Sequence, residues 1–447
     1  MSAKPSFHLA VVQAIARALL WSQYRRIEVE GAERVPVEGP VLLVANHFSA
    51  VADSMALLRA SPRVPSFLAK APLFKSRLLR PFLEATGAVP VFRPQDAAEN
   101  EGRGARANIE MFRTCRERLE AGACLAIFPE GVSQPQPRLM PLRTGAARIL
   151  TDTPASVDVV PVGLVWEHPT PPRRGTLLVR FGPPIRVRGT EGYASRRAAI
   201  EGVTRAIEGA LHHLLAEATS QGELTALRAL RAVWDQGAGR PPPATLVERH
   251  ARDRTFAHAL ADLRQRAPAD VDAVRAEADA YLRSLELAGL SAEAVETHYD
   301  TGAVLRFLVG SALPLLLLEP LTIVAAVATW PIRRGGDLLA LRVFGGAEDV
   351  RALCRMLGIG LLLVIATLGG ALVAGLLAGG VAALAVGVAL PLLLVFHVSW
   401  RERRLAILAR GRAFLLLAGS PLRTALRRQR QALLDRVRSL SPRRAQG

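Results

Sequence analysis

Asn46 and His47 follow the apolar run Val41–Ala45, and Asp53 stands six positions after the histidine. An imidazole takes a hydroxyl proton at neutral pH, and a carboxylate on its other ring nitrogen fixes tautomer and orientation. The pair suits general-base chemistry on an alcohol. Asp53 also precedes the helical pattern SMALLRA, where a helix N-cap is its ordinary role. Two more polar clusters follow apolar runs: Arg93 closes GAVPVFR, and Pro129–Glu130–Gly131 follow CLAIF. A guanidinium binds phosphate bidentately, with a surface salt bridge as the alternative. Glu130 has the chemistry to hold a polyol hydroxyl or to pair with an arginine. Lys70, Lys75, Arg138, Arg143 and Arg148 add a cationic wall that suits a phosphorylated acceptor or coenzyme A. Asn46, Ser49, Lys70, Arg93, Glu130, Gly131 and Arg143 are therefore the candidate substrate-binding residues beside the candidate catalytic pair His47 and Asp53.

Other chemistries lack their residues. The chain has no G-x-S-x-G elbow, H-E-x-x-H or P-loop. Its three cysteines, Cys115, Cys124 and Cys354, are too few and too far apart for a disulfide framework or a four-cysteine zinc site, which suits a reducing compartment. Cys124 falls inside a strand pattern and reads as a small buried hydrophobe. His212 and His213 show no ligand spacing with acids or cysteines, so neither a metal nor a cofactor is expected.

The three polar clusters need a sheet to bring them together. Residues 27–190 alternate short β-rich runs with helical patterns, as an α/β domain does. The strand candidates are 41–45, 64–68, 88–92, 124–128, 157–164 and 176–181, and a helix is expected over 105–119. In an open α/β sheet the ligand crevice lies beyond the carboxyl ends of the strands, which is where all three clusters fall. Residues 191–300 read as charged amphipathic helices interrupted at 237–243.

The chain has 447 residues, 57 Lys+Arg against 39 Asp+Glu, a formal charge of +18 and 50% hydrophobic content. That charge calls for an anionic partner, nucleic acid or an anionic membrane surface. The C-terminal apolar runs favour the membrane. Residues 357–398 hold no acid, Lys or Arg, enough for two crossings, with Gly379–Gly380 where a hairpin turn would fall. Arginines flank both ends, placing both in the cytoplasm. A second apolar run, 307–330, carries Pro314, Glu319 and Pro320, so a broken, re-entrant or interfacial segment is expected there. Residues 1–25 read as an interfacial amphipathic helix, with an ordinary core helix as the alternative. The expected organisation is thus an interfacial helix (1–25), an α/β domain (26–190), a helical region (191–300), a membrane region (301–400) and a basic cytoplasmic tail (401–447) against anionic lipid head groups.

Taken in order, ANHFSAVAD, GAVPVFRP, FPEGVSQPQPRLMPLRTGAARI and VVPVGL resemble the four blocks of the glycerolipid acyltransferase family, which includes glycerol-3-phosphate and 1-acylglycerol-3-phosphate acyltransferases. The resemblance covers about residues 38–186. It implies an α/β acyltransferase fold with a mixed sheet flanked by helices. It further implies His47 as general base, Asp53 as its orienting partner and Arg93 on the acceptor phosphate. Glu130 and Gly131 would then shape the acceptor site, and Pro161 the acyl side. Five residues separate His47 from Asp53 where the family usually has four. A longer gap, the PRLMPLRTGAAR extension and a C-terminal membrane hairpin resemble the yeast-type glycerol-3-phosphate/dihydroxyacetone-phosphate branch. The implied reaction moves a fatty acyl group from acyl-CoA or acyl-carrier protein to a glycerol hydroxyl at the cytoplasmic membrane, with the catalytic domain facing the cytoplasm. Thioester hydrolysis and a non-catalytic lipid-binding protein of the same fold are the alternatives.

Overall fold

The computed structural model describes residues 7–75, 80–92, 104–134, 136–167, 175–290, 292–296, 301–344, 348–418 and 420–440. Two compact units form, Met1–Leu224 with Pro243–Arg254, and Thr225–Pro242 with Thr255–Gly447.

The first unit runs α1 (Phe7–Gln23), β1 (Arg26–Glu30), β2 (Val41–Ala45), α2 (Ala50–Ala60), β3 (Ser66–Lys70), α3 (Arg80–Ala85), β4 (Val89–Val91), α4 (Gly104–Glu120) and β5 (Cys124–Ile127). It continues through α5 (Gly145–Asp152), β6 (Val157–Trp166), β7 (Thr176–Phe181), β8 (Ile185–Val187) and α6 (Arg196–Leu214). The strands make one mixed sheet ordered β1-β7-β6-β2-β5-β3-β4, with β8 on β6. β6, β2, β5, β3 and β4 are mutually parallel, while β7 and β8 run antiparallel to β6. β2 lies between β5 and β6, and all five of its residues are buried. Its period of two sends Val41, Leu43 and Ala45 into one apolar cluster and Leu42 and Val44 into the other, so a continuous apolar run suits a strand covered on both faces. The expected α/β class is observed, with helices on a mixed sheet. β1 and β8 are additional to the expected strands: RIEVE is too charged, and IRV too short, to stand out.

α1 departs from the interfacial expectation. Val12, Ala16 and Leu20, spaced by four, are buried and join the core cluster that includes Met55–Leu58 of α2. Burying three apolar side chains against α2 outweighs leaving that face open. Val11 and Trp21 stay exposed on the opposite side.

α7 (Gln221–Gly237) and α8 (Leu246–Arg266) lead into the second unit, followed by α9 (Pro268–Ala288), α10 (Ala292–Glu296), α11 (Thr301–Phe307), α12 (Leu313–Phe344), α13 (Glu348–Ala378), α14 (Gly380–Leu417) and α15 (Pro421–Leu440). Leu230, Val274, Tyr281, Leu285, Leu417, Leu426 and Leu433 share one buried core. The basic tail is therefore not a free arm. α15 seats its leucine face on α9, and Arg436 pairs with Glu277 at 2.9 Å.

Among the described residues three helices are long and apolar enough to cross a membrane: Val304–Leu339, Gly358–Ala378 and Gly380–Leu417. Gly379 turns between the last two at φ 87°, where the hairpin turn is expected. Leu376, Leu377 and Val381 at the tip are all more than three-quarters exposed, an apolar surface that water does not favour. The expected break in 307–330 is absent. A π-helical turn, Leu308–Ala312, precedes α12 and takes up the register change before Pro314, and Pro320 and Pro331 lie inside a continuous helix. Glu319 is paired through Oε1 with Arg404 of α14 at 2.9 Å, which offsets part of the cost of its charge, while Oε2 is buried without a hydrogen-bond partner.

Candidate active site

β2, β5, β3 and β4 are parallel, so their carboxyl ends share one edge of the sheet. The main-chain pairing of β2 with β6 ends at Ala45↔Val162. Asn46 then extends it with a side chain: its Nδ2 donates to the Leu164 carbonyl (3.0 Å), and the Leu164 N–H donates to its Oδ1 (2.7 Å). The amide thus substitutes for one more rung and fixes the point where the chain leaves the sheet.

His47 follows immediately. Its Nδ1 lies 2.9 Å from Asp53 Oδ2, which also accepts the Ser49 N–H at 2.7 Å. α2 begins at Ala50, so Asp53 is not the N-cap of a later helix. It sits in the first turn and reaches back, satisfying an orphan N–H at the helix start and the imidazole with one oxygen. The Asp53 side chain is fully buried while the His47 side chain is 15% exposed. A carboxylate on Nδ1 puts the proton there and leaves the lone pair on Nε2. The imidazole stacks on Phe128 at the end of β5, ring centroids 4.1 Å apart and planes 14° from parallel. Beneath it Tyr24 packs on Trp166 (4.9 Å), its phenol pushed well above the usual value by burial and then by the Asp53 charge.

Glu130 is buried beside the histidine. Oε1 accepts the His47 N–H at 2.7 Å and Oε2 the Met140 N–H at 3.0 Å. Burial raises its carboxyl above the ordinary value, while the Met140 and His47 N–H donors favour the charged form. The loop closes further through Gln134 N–H to the His47 carbonyl (3.0 Å) and Arg143 N–H to the Pro129 carbonyl (2.7 Å). Gly131 takes φ 72° in the turn, and a Cβ there would lie 3.4 Å from Arg143 Cγ. A side chain at that φ is strained, which accounts for glycine.

The structure therefore brings Asn46, His47, Ser49, Asp53, Glu130 and Gly131 together, with the Arg143 backbone closing their loop. The Arg143 and Arg138 side chains are exposed, and Lys70 ends β3 on the same edge, opposite Val91. Pro161 lies within the sheet opposite Val44, and a Cβ on Gly182 would come within 2.9 Å of its ring. Arg93 lies outside the described residues. Phe128, Gln134 and Met140 were not singled out by the sequence: one reads as a strand end, and the other two act through backbone N–H groups that any residue but proline supplies. Cys124 is buried in β5 with its thiol pushed up to about 11 by burial, which makes it unreactive at neutral pH. Among the described residues no group of three or more His, Cys, Asp or Glu is arranged to hold a metal ion.

Residues 26–165 match the family model described as Acyltransferase. An uncharacterised acyltransferase of Schizosaccharomyces pombe is 25% identical over 300 residues, covering 47% of this chain and 44% of its own. Glycerol-3-phosphate O-acyltransferase 2 of Saccharomyces cerevisiae is 29% identical over 153 residues, covering 32% of this chain and 20% of its own. The chloroplastic 1-acyl-sn-glycerol-3-phosphate acyltransferase LPAT1 of Arabidopsis thaliana is 28% identical over 160 residues, covering 36% of this chain and 41% of its own. The match thus spans less than half the length of each of these relatives.

Proposed function

We propose that the protein is a membrane-bound glycerolipid acyltransferase. It would move a fatty acyl group from acyl-CoA or acyl-carrier protein to a hydroxyl of glycerol 3-phosphate or 1-acylglycerol 3-phosphate in phospholipid synthesis. The observation that carries this reading is the His47–Asp53 pair, a sheltered carboxylate on Nδ1 with Nε2 left as base, inside a domain of this family. In the reaction His47 Nε2 takes the acceptor hydroxyl proton as that oxygen attacks the thioester carbonyl carbon. Asp53 stabilises the resulting imidazolium. The tetrahedral intermediate collapses, the C–S bond breaks, and the leaving thiolate takes the proton from the His47 imidazolium, which regenerates the base. A thiolate leaves readily, so the step as written needs no covalent enzyme intermediate, metal or cofactor. Arg93, Lys70 and Arg143 supply the cations for the acceptor phosphate. Asn46, Ser49, Gly131 and Pro161 build the surrounding walls, and Glu130 stands behind His47.

The long apolar helices hold the enzyme at the cytoplasmic membrane with the catalytic unit facing the cytoplasm, where acyl-CoA and acyl-carrier protein are found. Anionic head groups are the partners of the arginine-rich surface. Membranes containing the protein, incubated with labelled acyl-CoA or acyl-carrier protein and a panel of phosphorylated acceptors, test the proposal by lipid analysis. Label should enter a phospholipid precursor only when an acceptor is present. Acceptor-independent release of free fatty acid would indicate a hydrolase, and no turnover with any donor would favour a lipid-binding protein.

A further inference from the structure

The acceptor-site role that the resemblance implies for Glu130 requires a carboxylate oxygen available to a ligand, and its geometry shows another use. Each oxygen takes a backbone N–H, one from His47 and one from Met140, ten residues further along its own loop. The residue is 3% exposed, and both of its oxygens are taken up by these donors. The His47 carbonyl is held from the same loop by the Gln134 N–H at 3.0 Å. Both backbone polar groups of His47 are thereby fixed by residues 130–134, while its imidazole is fixed separately by Asp53 and Phe128.

We propose that Glu130 is a positioning residue for the base: its carboxylate clamps the His47 backbone to the Met140 loop and does not contact the acceptor. This rests on His47 acting as the base. A neutral amide in place of the carboxylate accepts from only one of the two N–H donors and turns an N–H₂ toward the other. Either the His47 end or the Met140 end must then let go. A base displaced by about 1 Å loses on the order of a hundredfold in rate, because the reacting atoms no longer meet in line. Ground-state binding of the acceptor is not touched.

The test uses the full-length protein in lipid nanodiscs, wild type against Glu130→Gln, with Glu130→Asp as the replacement if the glutamine variant does not fold. Amide hydrogen exchange in the peptide containing His47 should speed up at least tenfold. kcat should fall at least tenfold, with the KM for acceptor and donor both within twofold of wild type. An acceptor KM raised tenfold at preserved kcat would overturn the proposal, since it puts the carboxylate on the substrate. Unchanged exchange at His47 would overturn it too. If the wild type proves inactive with every acceptor, the functional reading fails, while the exchange measurement still decides whether Glu130 holds His47.

Discussion

Asp53→Asn is the sharpest test of the base. One Asp53 oxygen accepts two N–H groups, from Ser49 at 2.7 Å and from His47 Nδ1 at 2.9 Å. The fully buried side chain has no water to replace either bond. Asparagine offers one acceptor oxygen and one N–H₂. With its carbonyl oxygen where Oδ2 stands, the amide keeps both bonds and puts its N–H₂ at the Oδ1 position, which has no hydrogen-bond partner; flipped, it donates to Nδ1 and moves the imidazole proton to Nε2, where the base is needed. In both orientations the buried anion that stabilises the imidazolium is gone. General-base catalysis is worth about 10²–10⁴-fold, or about 2.7–5.5 kcal/mol at 1.36 kcal/mol per tenfold. Stability should change much less. The second carboxylate oxygen, Oδ1, is buried without a hydrogen-bond partner, so removing the charge relieves a desolvation cost as one charge-assisted bond is weakened. The assay is steady-state acyl transfer by the purified protein in nanodiscs, with melting followed in parallel. kcat should drop by at least two orders of magnitude, with a melting temperature within a few degrees of wild type. The double variant His47→Ala/Asp53→Asn should be no slower than His47→Ala alone, because the two act as a unit. An Asp53→Asn enzyme within threefold of wild type would refute the assignment of His47 as base.

Asn46→Ala removes both bonds to Leu164; leaving those backbone groups unpaired costs about 1–3 kcal/mol each at most, so thermal or denaturant unfolding should show a clear destabilisation. Arg93→Ala should raise the KM for the phosphorylated acceptor more than that for the donor, and an effect confined to the donor would move Arg93 to the coenzyme side. Cys115 and Cys124, their thiols pushed up to about 12 and about 11 by burial, stay protonated and should resist maleimide at pH 7 in the folded protein; fast labelling of either would contradict the packing. With Cys354 replaced by serine, single cysteines introduced for Thr190, Arg342 and Ser439 should all label from the cytoplasmic face of sealed inverted vesicles, whereas opposite sidedness of 190 and 342 would mean that α12 crosses the bilayer once.

The parts of the site legible in the sequence were those where a residue type is itself the function. His47 and Asp53 could be paired because an imidazole and a carboxylate that close have few alternatives at the end of an apolar strand. The N-cap alternative for Asp53 was half right in its physics, since the carboxylate does serve a helix-start N–H, from inside the first turn. Asn46 and Glu130 could be located but not interpreted. A polar side chain spent on backbone N–H and C=O groups leaves no complementary residue type in the sequence. The same holds for Gln134 and Met140. In the fold, continuous apolar runs such as Val41–Ala45 announce central strands, whereas β1 and β8 pair at residues whose composition does not differ from a loop.

The proline-interrupted run 307–330 shows why composition could place a segment near the membrane without fixing its path. Proline removes one N–H, but a π-turn just upstream and neighbouring helices absorb the defect, so the helix continues. Its partners tell more than its breakers. Phe307 lies against Gly411, Glu319 pairs with Arg404, Arg333 meets His397, and Gly336 meets Gly358. From 307 to 333 the chain covers about 39 Å of helix, while its contacts retreat along α14 from 411 to 397, about 21 Å at 1.5 Å per residue. Residues 307–333 therefore run against the direction of α14. Residues 397 and 358 are the two feet of the hairpin, and 401–411 extend beyond its apolar stretch into a segment rich in arginine. Each of these contacts falls at the foot of the hairpin or on that extension, not at its tip near Gly379. Labelling at 190 and 342 decides between the two paths open to this segment: reaction from the same face means that it enters and returns beside the hairpin's feet, and reaction from opposite faces means that it crosses once.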